Sequence, residues 1–298
     1  MGEDGFFFLD ALDGPEVPQA ARALPVIDTL RLTWQRHYEH TPGEAAADGT
    51  LLTPRVPFKA SGMLPPAAEG IESPDDADAR YRHKRDTQWT GYMVHISETC
   101  EPTAPHLLTH VQTTPATVHE AQCTEPSHQA LVAKDLPPSE HLVDAAYIDA
   151  AWLVTSREAH GIMLRGPPRP NISWQSHVDG GYTVEHFSID WEGQQVHCPQ
   201  GKTLGSWADR VDHTGCPYIQ VRFRQQDCRA GEVRAFCPRA TRAPRSLKLH
   251  AQAQLAALQA ARVWNRSEEG PQSDKRRAGV EGTWSQGVRA FGLRHARY

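Results

Sequence analysis

With 298 residues and a 39% apolar fraction, the chain can build one large or two modest cores, and its 23 Pro and 22 Gly forecast many turns and short elements. No apolar run approaches about 20 residues, which excludes an apolar membrane-spanning helix. The net charge of −5 argues against a generic nucleic-acid binder, but from Arg222 to Tyr298 there are 16 Lys or Arg against 6 Asp or Glu, a basic C-terminal region set against an acidic remainder.

Residues 1–70 read as an accessory helical segment and linker. Pro25 suits a first helical turn, and Val26, Ile27, Leu30, Trp34 and Tyr38 follow at helical spacing. Residues 40–80 are rich in Pro, Ala, Gly and Asp and read as a loop; Asp75, Asp76 and Asp78 belong to a polar turn rather than a metal cluster. From Trp89 the pattern turns to strands. Tyr92, Val94 and Ile96 alternate with Met93, His95 and Ser97, and Leu107, Leu108, His110 and Val111 suggest a second strand. A helix is expected from Thr124, as its N-cap, with Pro126 in the first turn. Leu142-Val143 reads as a short buried strand, Ile148–His160 as a helix capped by Asp149, and Ile162-Met163-Leu164 as another buried strand. This order gives an α/β sheet over 71–166, with Asp144 at a strand's C-terminal end, where sites in open α/β sheets collect. With Asp149 as the cap, Asp144 has no evident structural task.

Residues 167–245 break the pattern. Tyr182-Val184, Phe187-Ile189 and Tyr218-Phe223 are strand-like runs among Gly and Pro, a mostly β insertion containing Cys198, Cys216, Cys228 and Cys237. Four thiolates suit tetrahedral zinc, but no Cys-x-x-Cys sets two ligands on one knuckle, and free buried thiols are the alternative. Six cysteines without a secretory leader at Met1-Gly2-Glu3-Asp4 point to a reducing cytoplasm. Residues 246–298 read as helical: Leu247–Ala261, a polar loop Ser267–Asp274, then a basic helix bearing Glu281, Gln286 and Arg289. Asp144 and Glu281, 137 positions apart, are a carboxylate pair of the kind that holds magnesium in phosphoryl-transfer sites from separate elements.

Several runs together resemble the DDE transposases of bacterial insertion sequences, in the branch with a Cys-containing insertion before the last catalytic residue. They are Tyr81-x-x-Lys84-Arg85-x-Thr87-x-Trp89-x-Gly91-Tyr92-x-Val94-His95, Thr99-Cys100, His110 to Val118, His141-Leu142-Val143-Asp144-Ala145-x-Tyr147, Cys198-Pro199-x-Gly201, and Ala278 to Gly287. The resemblance covers most of the chain from about residue 70. It implies an RNase H-like mixed sheet and DNA transposition, with transposon ends and target DNA as partners, no membrane, and a homo-oligomer in the DNA complex. Asp144 would be the second acidic residue and Glu281 the third, both binding divalent metal, Mg2+ or Mn2+. Lys84, Arg85, Arg289 and Arg294 would contact phosphates, in a bacterial cytoplasm at the nucleoid.

Two departures shape the expectations. The family's first catalytic Asp lies on the first, central strand, in a Thr-Asp-Ser-Thr-like segment, and nothing here matches it: Asp10, Asp13 and Asp28 have helical context. The family's basic helix also continues where this chain stops, at Arg297-Tyr298, so the chain is expected to be a copy truncated at both its N- and C-terminal ends, lacking that strand, with little strand cleavage. A non-catalytic DNA-binding remnant is the alternative, and a sheet that does not fold stably is a third reading. The position matching the family's second Cys is Gly231. That leaves Cys198, Cys228 and Cys237, with Cys216 or His197 as the substitute a zinc site would need.

Overall fold

The computed structural model describes residues 2–39, 56–64, 66–73, 75–229, 232–238 and 242–295. It is mixed α/β and divides into two compact units, residues 1–95 with 111–119, and residues 96–110 with 120–298. No helix among the described residues is long and apolar enough to cross a membrane.

The first unit begins with α1 (Gly2–Leu12), α2 (Gln19–Arg22) and α3 (Pro25–His37). Pro25 sits in the first turn of α3, where its missing N–H costs nothing. Leu9 and Ile27 are buried, while Tyr38 packs edge-on against Phe58 at 5.2 Å. Asp10 lies within α1, Asp28 in the first turn of α3, and Asp13 pairs with Arg31. The expected loop at 40–80 lies in its first part outside the described residues. Within its remainder, Asp76 accepts from the amides of Asp78 and Ala79 at 3.1 and 3.2 Å, a side-chain-closed turn.

Next come β1 (Arg80–Lys84), β2 (Thr87–Glu98) and β3 (Leu108–Pro115), in one sheet of that order. β1 and β2 are antiparallel, Lys84 opposite Thr87, across the two-residue turn Arg85-Asp86. Alternation set β2 correctly, and the division between units runs across the β2–β3 hairpin.

The second unit continues with α4 (Thr124–Ala133), β4 (Glu140–Leu142), α5 (Ala150–His160) and β5 (Met163–Arg165). Thr124 is not the cap of α4: it is the first helical residue, and its hydroxyl donates to the Tyr147 carbonyl at 2.9 Å. Asp149 does cap α5, accepting from the Ala151 amide at 2.8 Å. β4 and β5 are parallel, as a crossover through α5 requires. They form a separate two-stranded sheet rather than continuing β1–β3, because no strand among the described residues pairs with both. Val143, Ile148, Leu153 and Leu164 make the core here. Gly166 is needed for the close approach of the strands: a Cβ there would lie 2.2 Å from the Val143 carbonyl oxygen.

The insertion contains the hairpin β6 (Ser188–Asp190) and β7 (Gln195–His197), then β8 (Leu204–Val211), β9 (Pro217–Phe223), the short α6 (Gln225–Arg229) and β10 (Ser246–Leu249). β9 is central, between β10 and β8. The expected strand at Tyr182-Val184 is absent: Val184–His186 is a 3-10 turn, and only Ser188–Asp190 of the next run is extended. Phe187, Val196, Leu204, Val221, Phe223, Leu247 and Leu249 fill the core. Leu247 therefore does not begin a helix. Leu247 and Leu249 alternate inward on β10, and α7 (Gln252–Arg266) starts beyond it. The expected polar loop at Ser267–Asp274 is largely helical too, as α8 (Glu269–Arg277), followed by α9 (Gly279–Phe291). Ala257, Leu258 and Ala261 of α7 cover the β4–β5 core.

Candidate active site

Asp144 follows β4 directly, after Val143, whose amide bonds the Arg165 carbonyl at 2.8 Å. The strand's hydrogen bonding thus carries the chain to Asp144 and stops. The side chain does have a structural task, contrary to the sequence reading. It caps a short 3-10 turn, Ala145–Tyr147, accepting from the Ala145 amide at 2.6 Å, and remains exposed. A carboxylate held this way keeps one oxygen open to solvent or ligand.

Glu281 stands in the first turn of α9, 69% exposed, where the helix's free amides favour a negative charge. Arg277, at the end of α8, connects the two. Its Nε donates to Asp274 Oδ1 at 2.9 Å, and a terminal nitrogen lies 3.5 Å from Glu281 Oε1. Partial burial works against the Arg277 charge. The Asp274 hydrogen bond and the fields of Asp274, Asp144 and Glu281 outweigh it and raise the pKa. Glu281 thus lies within ion-pair reach of Arg277, whereas Asp144 contributes only its charge at a longer range to the same guanidinium.

The α8 scaffold is anchored to the strands. Arg276 lies 3.6 Å from Glu140 on β4, Glu140 takes Arg165 Nε at 3.0 Å, and Arg165 lies over the Trp264 ring at 4.7 Å. The Arg276 contact ties α8 to the first residue of β4, while Asp274 and Arg277 border a small space with Leu142, Val143, Arg165 and Gly166, at the C-terminal ends of β4 and β5. Arg277 was not singled out in the sequence. The i, i+3, i+7 spacing of Asp274, Arg277 and Glu281 was the signal for its role.

Two exposed carboxylates offer oxygen donors of the type magnesium takes, and so fit as partial ligands. Among the described residues no group of three or more His, Cys, Asp or Glu is arranged to hold a metal ion. Arg289 is exposed on α9 and Arg294 lies exposed beyond its end. Lys84 and Arg85 belong to the first unit, at the β1–β2 turn, where Arg85 takes a left-handed φ of 56°.

The structure does gather Cys198, Cys228 and Cys237, around a cavity of about 320 Å3 that Arg245 also lines. Burial pushes the Cys237 thiol up to about 11, with Arg245 opposing and the other two thiols reinforcing. Neither Cys216 nor His197 lines this cavity: Cys216 precedes β9 and Cys228 follows it, at opposite ends of that strand. Gly231 lies outside the described residues. Three sulfurs fall short of the four ligands of structural zinc, so the described residues do not fit it.

A second cluster escaped the sequence reading. His128 Nε2 lies 2.9 Å from His141 Nδ1, and His160 Nε2 lies 2.8 Å from Glu125 Oε1. The rings of His128 and His160 meet edge-on at 5.9 Å. His128 is wholly buried, and its Nδ1 has no hydrogen-bond partner. Glu125 and His128 are three apart on α4, but nothing in the sequence announced that His141 and His160 would join them.

Residues 197–298, about a third of the chain, match the family model for the transposase DDE domain. The match supports a DDE transposase; it includes the three clustered cysteines, Glu281 and Arg289, and leaves Asp144 outside. No curated protein and no solved structure matches the chain.

Proposed function

We propose, for a chain that carries the match to the transposase DDE domain over residues 197–298, that it is a DNA transposase of an insertion sequence with an RNase H-like core. Asp144 and Glu281 are two of its catalytic acidic residues in this reading. The observation that supports this reading is the match over residues 197–298, with Glu281 inside it and 3.5 Å from Arg277, and Asp144, outside it at the end of a strand, adding its charge at the same guanidinium. In the proposed site Asp144 and Glu281 would hold a divalent cation, magnesium or manganese. When bound, such a cation polarises a phosphodiester and assists in-line displacement at phosphorus. Arg277 keeps the two carboxylates from repelling one another, and Arg289 and Arg294 supply positive charge for DNA phosphates.

Strand cleavage by this chain is proposed to be weak or absent. The first catalytic Asp of the resembled family stands on its first, central strand, and among the described strands β4 pairs with β5 alone. With two carboxylates, cation affinity falls and the reacting groups lose their alignment. This also favours a second reading, a transposase remnant that binds DNA without cutting it. The test uses duplex DNA from either side of the reading frame, with magnesium or manganese, scored for both retarded complexes and nicks. A salt-sensitive complex with scarcely any nicking is expected. Robust nicking abolished by Asp144→Ala would overturn the claim of inactivity, and the absence of any complex would overturn the transposase reading.

A further inference from the structure

Past the small space next to Arg277 opens a polar cleft of about 890 Å3, between residues 168–186 and the C-terminal end of α7. It is continuous in the chain with the candidate site. Gly166, Pro167 and Asn265 border the small space next to Arg277, while Pro168, Arg169 and again Asn265 border the cleft. The cleft therefore leads away from the carboxylate end of β4 and β5.

Its lining is built rather than incidental. Gln175 is buried, and its side-chain amide donates to the Cys237 carbonyl. Gly181 packs so tightly that a Cβ would lie 2.2 Å from the Gln175 carbonyl oxygen. The wall is basic: Arg262 and Arg266 stand one turn apart on α7, with Arg169 on the opposite segment and His177 and His186 between. Arg266 and Arg169 are exposed, whereas Arg262 is mostly buried and lies 3.3 Å from Glu185. The Nε of Arg262 is buried with no hydrogen-bond partner. A buried guanidinium donor left unpaired is costly, and an anion in the cleft would satisfy it. Asp179 and Glu185 are the opposing carboxylates.

We propose that this cleft takes the phosphodiester backbone of the bound DNA beyond the Asp144–Glu281 site, with Arg169, Arg262 and Arg266 as phosphate contacts. The proposal rests on the DNA-binding reading above. Glu185 then acts as a brake, neutralising Arg262 in the absence of DNA. Its carboxyl is held below the usual range by the Thr183 hydroxyl and by Arg262, against its partial burial.

The test is fluorescence anisotropy of a short labelled duplex across a salt series, with two variants of the full chain. Arg169→Ala with Arg266→Ala removes two exposed contacts without touching the buried Arg262. It should weaken binding on the order of ten-fold at moderate salt and flatten the logarithmic salt slope by about 1.8. Glu185→Gln should act in the opposite direction, tightening binding several-fold and steepening the slope. Because one variant loses and the other gains, simple misfolding cannot produce both results. Wild-type binding left unchanged by all three substitutions would overturn the cleft assignment and leave the DNA reading standing. No wild-type binding would overturn both.

Discussion

The His128 cluster makes stability depend on acid in a way that one substitution isolates. His128 and His141 each titrate at about 4, mainly because burial disfavours the charged ring, and for each a neighbouring histidine adds to this. His160 and Glu125 act on His128 with opposite sign, and His110, itself lowered by burial and Lys134, acts on His141. A histidine ordinarily titrates near 6.5, so the unfolded chain binds these protons first. The contribution is fully present above pH 6.5 and is lost as pH falls through 4. For one such histidine the loss is about 2 kcal/mol at pH 5 and approaches about 3.4 kcal/mol well below pH 4. The two rings share one hydrogen bond, so the figure applies to the first proton taken up by the pair. His128→Leu removes the most buried site. It should cost about 1 kcal/mol near neutrality, through the lost hydrogen bond. The assay is thermal unfolding from pH 7.5 to 4.5, followed by tryptophan fluorescence, to which Trp152, packed on the adjacent core, contributes. The wild-type midpoint should fall more steeply with acid than that of His128→Leu, so that the curves converge. Parallel curves would show that the buried ring carries no linked proton, and the reasoning would fail.

Gly166→Ala should destabilise by about 1–3 kcal/mol, because its Cβ meets the backbone oxygen of Val143, which cannot rotate away. Gly282→Ala, in open space on α9, should instead stabilise by about 0.5–1 kcal/mol, and a melt of both variants checks the contrast. Chelation should leave the unfolding temperature unchanged, since among the described residues no fourth Cys or His lines the cavity of the three clustered thiols. One bound zinc per chain by elemental analysis, with a lower melting temperature after its removal, would contradict that.

Strong local chemistry was legible. Pro25 marked the start of α3, Asp149 capped α5, and alternation from Tyr92 to Ser97 identified β2. β10 was not, because its four residues run into an Ala-rich helix and the inward Leu247 and Leu249 also suit a helical stripe. β8 escaped because only Leu204 of its eight residues is buried, leaving a weak alternation. α8 is almost wholly polar, with Pro271 in its first turn. Three basic residues favour its carbonyl end, and Gly270 packs closely on the Asn265 backbone. At the site, the position of Asp144 at a strand end was readable, but its capping role was not. That bond depends on the 3-10 turn that follows, which residue periodicity does not report. The part played by Arg277 was only half readable: Asp274 and Glu281 share its helix pair at regular spacing, whereas Asp144, in the segment after β4, is far away in the chain.

The central claim is that Asp144 and Glu281 serve one cation. Replacing magnesium with ferrous iron and generating hydroxyl radicals in place cuts the backbone near a bound ion, which locates the ion without requiring catalysis. Cuts are expected beside both Asp144 and Glu281, suppressed together by excess magnesium and by Asp144→Ala. Cuts beside only one of them, or a Glu281 cut that survives Asp144→Ala, would show that the two carboxylates do not share an ion.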